Sequence, residues 1–172
     1  MTIEQSLSGG DPRTLKGVDK VIKAVIDNPK RLDELFNCLF VSDEVVRMRT
    51  SDALEKICRQ HGEWLKPYSG RILREVSKIR QASVQWHVAQ MLVEIPLSET
   101  ETAQAIRVLQ NNLKVSDDWI VTNLTLESLA AFARKGSFPK DTFVRILKKY
   151  QTNRHNSVKA RVRKLLAEFA HA

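Results

Sequence analysis

The amino-acid sequence predicts an all-α fold made of repeated helix pairs, and three observations support this prediction. Apolar residues recur with a helical spacing, the same spacing returns about every 37 residues, and no segment alternates apolar and polar residues as a half-buried strand does. The chain has 172 residues, of which 42% are hydrophobic and 28% are charged. These values are ordinary for a globular protein and allow a substantial core.

Four segments share one pattern of apolar or small residues, which we call the stripe. Each stripe begins at a valine, namely Val46, Val84, Val121 or Val158, and continues at offsets +4, +7, +8 and +11. The valines are 38, 37 and 37 residues apart. At about 100° per residue these offsets share one side of a helix, so each stripe predicts a helix with one buried face. After the valines, the stripes contain Thr50, Ala53, Leu54 and Ile57; Val88, Met91, Leu92 and Ile95; Thr125, Ser128, Leu129 and Phe132; and Val162, Leu165, Leu166 and Phe169.

A second amphipathic segment precedes each stripe, and helix-breaking residues separate the two. We therefore predict four helix pairs, or repeats, at residues 29–62, 67–97, 98–136 and 137–172. An additional helix over residues 14–27 would cover the apolar side of the first repeat, because terminal repeats need caps. Residues 14–172 would then form one repeat domain. Residues 1–13, which include the sequence SLSGGD, are expected to be a flexible leader.

The first stripe and its neighbours resemble a known repeat family. The pattern V-R-x-x-T-x-x-A-L-x-x-I, with Asp43 three residues before its valine, resembles the second helix of a HEAT repeat. The sequences SLSGGD, LFNCLF and VVRMRTSDALEKI are also similar to small bacterial HEAT-repeat proteins. The likeness extends from about residue 29 to the C-terminus and weakens where Arg47 is replaced, in later repeats, by Gln85, Thr122 and Lys159. It implies an armadillo-like, right-handed α-solenoid whose second helices line a concave face, and it implies no activity.

The second helices also carry the candidate partner-binding residues. Offset +2 points away from the stripe, and offsets +1 and +3 flank it. Tryptophan and arginine are frequent anchors at protein interfaces, so this face is predicted to bind a protein partner. Two interpretations of Arg47 remain open. It is either a contact for the partner or a structural residue, since in HEAT repeats the corresponding arginine commonly connects one repeat to the next through aspartates. Trp119 is expected to pack against the start of its helix. The predicted partner-binding residues are Arg47, Met48, Arg49, Trp86, His87 and Asn123.

Positive charge is concentrated at the C-terminal end. The net charge is +8, and residues 140–164 contain nine basic residues and one acidic residue, which alone give this excess. Three interpretations remain open: a solubilising cap, contact with nucleic-acid phosphates, or contact with an acidic protein. HEAT-like solenoids include alkylpurine DNA glycosylases, from which we carry over binding and no catalysis. The predicted anion-binding residues are Lys148, Lys149, Lys159, Arg161, Arg163 and Lys164.

No pattern in the chain indicates catalysis, a metal site or a cofactor. The four histidines, at positions 61, 87, 155 and 171, lack metal-ligand spacing, the two cysteines form no CxxC, and the six glycines form no P-loop. MTIEQSLSGG lacks the regions of a signal peptide, and no apolar stretch is long enough for a membrane span. We therefore expect a cytoplasmic, non-catalytic protein-interaction scaffold, with nucleic-acid binding as the alternative function.

Overall fold

The computed structural model describes residues 1–170, and this part of the chain is helical without any strand. Helices account for 77% of the chain. The all-α prediction is therefore confirmed. Each second helix packs its stripe against neighbouring helices, and the burial of this apolar face stabilises the helix.

Ten α-helices lie within residues 1–170. They are α1 Ile3–Leu7, α2 Val18–Asp27, α3 Leu32–Asn37, α4 Glu44–Gln60, α5 Ser69–Arg74, α6 Ala82–Glu94, α7 Glu99–Val115, α8 Trp119–Arg134, α9 Lys140–Lys149 and α10 Asn156–Ala170. Short 3₁₀ helices extend or join the first six at Pro29–Arg31, Cys38–Phe40, Gly62–Tyr68 and Val76–Lys78. The four predicted helix pairs correspond to α3–α4, α5–α6, α7–α8 and α9–α10.

The chain divides into two compact units, Met1–Pro96 and Leu97–Ala172. We call them the N-terminal unit, which contains α1–α6, and the C-terminal unit, which contains α7–α10. Sequence analysis predicts one repeat domain over residues 14–172, whereas the contacts separate two units. The division lies at the predicted boundary between the second and third repeats. A division at a repeat boundary is reasonable because repeat proteins are stabilised mainly by contacts within and between neighbouring repeats.

The stripe residues form the core of both units. All of them are buried except Leu166, which is half-buried in the last repeat. Burying one such leucine or isoleucine contributes about 1.5–3 kcal/mol relative to leaving it in water. In the first and third repeats an aspartate three residues before the valine caps the second helix, and Asp43 accepts hydrogen bonds from the backbone N–H groups of Val45 and Val46. Asp118 caps α8 in the same way.

The N-terminal residues are folded, so the prediction of a flexible leader over residues 1–13 is wrong. They contain α1, whose first turn is capped by Thr2. Ile3 and Leu7 of this helix are buried, with 1% and 0% of their surface exposed. The backbone N–H of Ile3 also donates to Glu34 Oε1 at 2.7 Å. Two buried apolar residues and a hydrogen bond to α3 outweigh the flexibility suggested by the two glycines that follow.

The predicted helix over residues 14–27 begins four residues late, at Val18. Gly17 precedes it with a φ of +81°, and a Cβ at this position would lie 2.1 Å from the carbonyl oxygen of Ser6. The chain therefore turns tightly against α1 before α2 can start. Leu15, which the prediction included in this helix, therefore precedes it and is 46% exposed.

Candidate interaction surfaces

Arg49 is not available to a partner, contrary to the sequence-based prediction. Its side chain is completely buried, and its guanidinium donates to the carbonyl oxygens of Leu7 at 2.6 Å, Gly9 at 2.7 Å, and Asp11 at 2.8 Å. Its remaining donors reach the carbonyl and hydroxyl oxygens of Thr14. All five N–H groups are therefore used, and carbonyl dipoles replace the water that a buried cation loses. Arg49 holds the N-terminal loop on the first repeat.

Arg47 connects the first two repeats, in agreement with the structural interpretation of this residue. Its side chain is only 16% exposed. It donates to the carbonyl oxygens of Val41 at 2.8 Å and Ser42 at 2.9 Å, and to Gln81 Oε1 at 2.9 Å. Gln81 in turn donates to the carbonyl oxygen of Glu44 at 2.8 Å. The connection uses carbonyls and an amide, not the aspartates that the family resemblance suggested.

Met48 and Trp86 remain partly exposed at offset +2 of neighbouring second helices, α4 and α6. Asn123, the corresponding residue of α8, is different because only 8% of it is exposed. Its Oδ1 is buried without a hydrogen-bond partner among the described residues. The prediction that offset +2 points to solvent therefore fails for Asn123.

His87 is buried beneath Trp86 and organises a chain of hydrogen bonds. The indole N–H of Trp86 donates to His87 Nε2 at 3.1 Å, and His87 Nδ1 lies 2.9 Å from Ser51 Oγ. Ser51 donates its own proton to the carbonyl of Met48 at 2.8 Å. These partners require a neutral imidazole with its proton on Nδ1. Burial lowers the pKa of His87 to about 4, against the opposing attraction of Asp52. His87 thus supports Trp86 from below the surface, and the prediction that it is a partner-binding contact is wrong.

Three further residues of this region, Ser51, Asp52 and Lys56, are not among those that the sequence pattern indicated. Asp52 Oδ1 lies 3.6 Å from His87 Nε2, and Asp52 Oδ2 pairs with Lys56 Nζ at 2.8 Å. The i, i+4 spacing of Asp52 and Lys56 was the available signal. Serine, histidine and aspartate together resemble a hydrolytic triad in composition. The geometry provides no nucleophile, because Ser51 is completely buried and its proton is directed to a carbonyl.

At the basic end, Arg161 belongs to an ion-pair network, which contradicts its prediction as an anion-binding residue. It donates to Glu127 Oε2 at 2.5 Å. Arg134 pairs with the same glutamate at 3.1 Å and with Glu168 at 2.6 Å. The hydrogen bond from Arg134 is the main reason why the pKa of Glu168 is lowered. Two arginines and two glutamates compensate one another, so Arg161 has its charge already neutralised.

The other predicted basic residues are more accessible. Lys159 is half-buried, and Lys148, Lys149, Arg163 and Lys164 are exposed. None of these four exposed cations forms an ion pair within 4.0 Å of a described carboxylate, although Lys164 is close enough to Glu168 to help lower its pKa. The charges of Lys148, Lys149 and Arg163 remain available to solvent or to an anionic ligand.

The remaining chemically reactive groups are buried or dispersed. Burial raises the thiol pKa of Cys38 to about 11 and that of Cys58 to about 12, which disfavours the reactive thiolate. Within residues 1–170, no group of three or more histidine, cysteine, aspartate or glutamate side chains could hold a metal ion. His171 lies outside the described residues. Over the same range, no helix has both the length and the apolar character needed to cross a membrane.

One comparison with known proteins identifies the family. A family model described as a HEAT repeat domain matches residues 5–132. HEAT repeats generally provide scaffolds for protein–protein interaction, and the family is generally non-catalytic. No curated protein and no solved structure matched the chain at a significant level.

Proposed function

Because the chain belongs to the HEAT repeat family, we propose that it is a non-catalytic interaction module that binds a protein partner on the face formed by α4 and α6. The proposed contact residues are Met48 and Trp86. They lie at the same offset of two adjacent second helices, whose packing is supported by the hydrogen bond between Ser51 and His87. A cytoplasmic location is part of the same proposal.

The observation that carries this proposal is the supported position of Trp86. The ring is partly exposed, while its only polar group is already satisfied by His87 at 3.1 Å. A partner can therefore cover the ring without leaving the indole N–H unpaired. Partly exposed aromatic residues held in one orientation are typical anchors, because little side-chain entropy is lost on binding.

The charges around these residues favour an apolar contact at the centre of the face. Lys56 pairs with Asp52, and Arg59 pairs with Glu55, all on α4. Paired charges at the edge of an interface contribute specificity more than affinity. Because these charges are already paired, the surfaces of Met48 and Trp86 are the proposed centre of the contact.

A photo-cross-linking residue at position 48 tests the proposal. We expect it to capture a discrete partner from extracts of the source cells, and we expect Trp86→Ala to reduce that capture at least tenfold. The control places the cross-linker at Arg74, an exposed residue of α5. Equal capture from positions 48 and 74, or capture unaffected by Trp86→Ala, would exclude this face. Melting curves should show a loss of only about 1–2 kcal/mol for Trp86→Ala, since the ring is half-buried.

Nucleic-acid binding through the last repeat is a second candidate function. The favouring observation is the exposure of Lys148, Lys149, Arg163 and Lys164 without ion pairs to described carboxylates. Unpaired cations bind phosphates and release counterions, so affinity must fall as salt rises. Fluorescence anisotropy with labelled single-stranded and double-stranded DNA and RNA provides the test. Binding that disappears at near-physiological salt would be the non-specific attraction of any basic protein, and would reject this candidate.

A further inference from the structure

A polar cleft in the C-terminal unit lies between two interhelical loops. Its volume is about 380 Å³, and it is bordered by the end of α7, the α7–α8 loop, one residue of α8, and the segment from the end of α9 to α10. Nine residues line it, and most of them are polar. The polar lining residues are Lys114, Ser116, Asp117, Thr122, Tyr150, Asn153, Arg154 and His155.

Hydrogen bonds across the cleft and within the α9–α10 loop connect its walls. The hydroxyl of Tyr150 donates to the carbonyl of Leu113 at 2.6 Å. Arg154 reaches the carbonyl of Asp117 at 3.5 Å and donates through Nε to His155 Nε2 at 3.1 Å. The backbone N–H of His155 is bound by Asn153 Oδ1 at 2.9 Å. The cleft is therefore formed before any ligand arrives, which reduces the entropy lost on binding.

Positive charge dominates at the cleft. Lys114 and Arg154 are exposed cations in its wall, and Asp117 is the only carboxylate there. Lys148 and Lys149 occupy the last turn of α9, immediately before Tyr150. Two exposed cations in the wall and two more in the adjoining turn of α9 provide more positive charge than a single phosphate group needs, so the charge pattern favours a polyanion.

Trp119 adds an exposed aromatic ring at the start of α8, two residues after the lining residue Asp117. It was expected to pack against the start of α8, but 45% of it is exposed. Trp119 is three residues before Thr122, a lining residue, so both lie on the same side of α8. An exposed indole next to a basic groove is the combination that binds unpaired nucleobases, because the ring stacks on a base while cations contact the backbone.

We propose that this cleft binds the phosphodiester backbone of a single-stranded nucleic acid, with a base stacked on Trp119. Lys114 and Arg154 contact phosphate oxygens, and Lys148 and Lys149 attract the flanking chain. A duplex binds more weakly, because its bases are not free to stack on the ring. The inference rests on the second candidate function and specifies the residues and the strand state for it.

Anisotropy of a labelled oligothymidylate of ~15 nucleotides, a length within reach of one such groove, tests the proposal. The cleft variant is Lys114→Glu with Arg154→Glu. The matched control is Lys140→Glu with Arg145→Glu, which changes net charge equally at exposed positions in the first two turns of α9. At near-physiological salt we expect the cleft variant to lose at least tenfold in affinity and the control at most about threefold. All four positions are exposed, and circular dichroism should show unchanged helix content in both variants.

Trp119 supplies the second part of the test. Trp119→Ala should lower affinity about tenfold, whereas Trp119→Phe, which keeps a stacking ring, should lower it about threefold or less. Heparin serves as a polyanion without bases, and it should bind more weakly than the oligothymidylate and be insensitive to Trp119→Ala.

The outcomes separate the cleft from the broader function. If the unmodified protein does not bind at near-physiological salt, both this inference and the nucleic-acid candidate are rejected. If it binds but the cleft and control variants lose affinity equally, only the cleft is rejected. If heparin binds as tightly as the oligothymidylate and Trp119→Ala changes nothing, the ligand is an acidic surface without bases, and the stacking proposal is wrong.

Discussion

The first and last repeats use the same position of their second helices in different ways. Offset +3 holds Arg49 in the first repeat and Arg161 in the last. Arg49 is completely buried and donates only to neutral oxygens of residues 7–14. Arg161 is about one-third exposed and pairs with Glu127, whose side chain is 37% exposed. The N-terminal residues cover the first repeat, whereas charged side chains keep the second helix of the last repeat solvated.

The difference shows that the repeat pattern determines the backbone position of a residue but not its role. Terminal repeats must prevent their apolar faces from associating with other molecules. The N-terminal segment that covers the first repeat depends on buried, long-range hydrogen bonds. The last repeat depends only on exposed charged side chains, which tolerate substitution. Substitutions should therefore have large effects at the covered end and small effects at the charged end.

The largest expected loss of stability is at a buried stripe residue of the third repeat, compared with the equivalent residue of the last repeat. Leu129 and Leu166 share offset +8, but Leu129 is completely buried and Leu166 is half-buried. Leu129→Asp buries a carboxylate without a partner and should destabilise the fold by more than about 4 kcal/mol. Leu166→Asp should cost less than about 2 kcal/mol. Urea unfolding measures both, and equal losses would contradict the claim that the last repeat is more solvated.

Arg49→Ala should have the next largest effect, a loss of about 3 kcal/mol or more. It leaves several buried carbonyl oxygens without donors and releases the loop that follows α1. Hydrogen exchange should show that the amides of α1 lose protection while those of α7 and α8 keep it. Arg161→Ala is the matched control, and its loss should stay below about 1 kcal/mol because the pair is exposed. Similar losses in the free energy of unfolding for Arg49→Ala and Arg161→Ala would contradict the difference proposed between the first and last repeats.

Acid should destabilise the N-terminal unit through His87. Its folded pKa of about 4 lies below the value of 6.5 for a free histidine, so the unfolded chain binds the proton more readily. The stabilisation is complete above pH 6.5 and is lost as pH falls from there towards 4, by at most about 3 kcal/mol. Urea titrations between these pH values measure the loss. His87→Gln should flatten the dependence, and an unchanged slope in that variant would assign it to other groups.

The smallest effect concerns the ion pair between Arg161 and Glu127. A double-mutant cycle with Arg161→Ala and Glu127→Ala should give a coupling free energy below about 1 kcal/mol at moderate salt. The coupling should decrease further as salt increases, because exposed charges are screened. A coupling above about 2 kcal/mol that persists in high salt would show that this end is organised like the covered one.

The repeat pattern was sufficient to predict the four helix pairs and nearly every buried stripe residue, but not α1. Its success follows from the period itself, since a helical face repeated four times leaves few alternative folds. It could not predict the role of Arg49, because the oxygens that bind its guanidinium lie 35 to 42 residues earlier in the chain. For the same reason, no local signal in SLSGGD indicates that a distant arginine holds this segment.

The candidate face was less predictable than the fold for a similar reason. Trp86 and Met48 could be placed by offset alone, but the burial of His87 and Asn123 depends on neighbouring helices that a single helix pattern does not contain. Asp52 and Lys56 carried a visible i, i+4 charge signal, yet their proximity to His87 required the packing of α4 on α6. Side-chain partners across helices were the information that the sequence lacked.

The hydrogen bonds of Arg49 also impose an order on synthesis. Ribosomes release the chain from its N-terminus at roughly 5–20 residues per second, so the loop leaves the ribosome seconds before the arginine that binds it. During that interval Ile3 and Leu7 lack much of the surface that later covers them. The cap is made first but can close only after α4 has formed. Slow translation through residues 17–49 would lengthen the exposure of the most apolar part of the N-terminus.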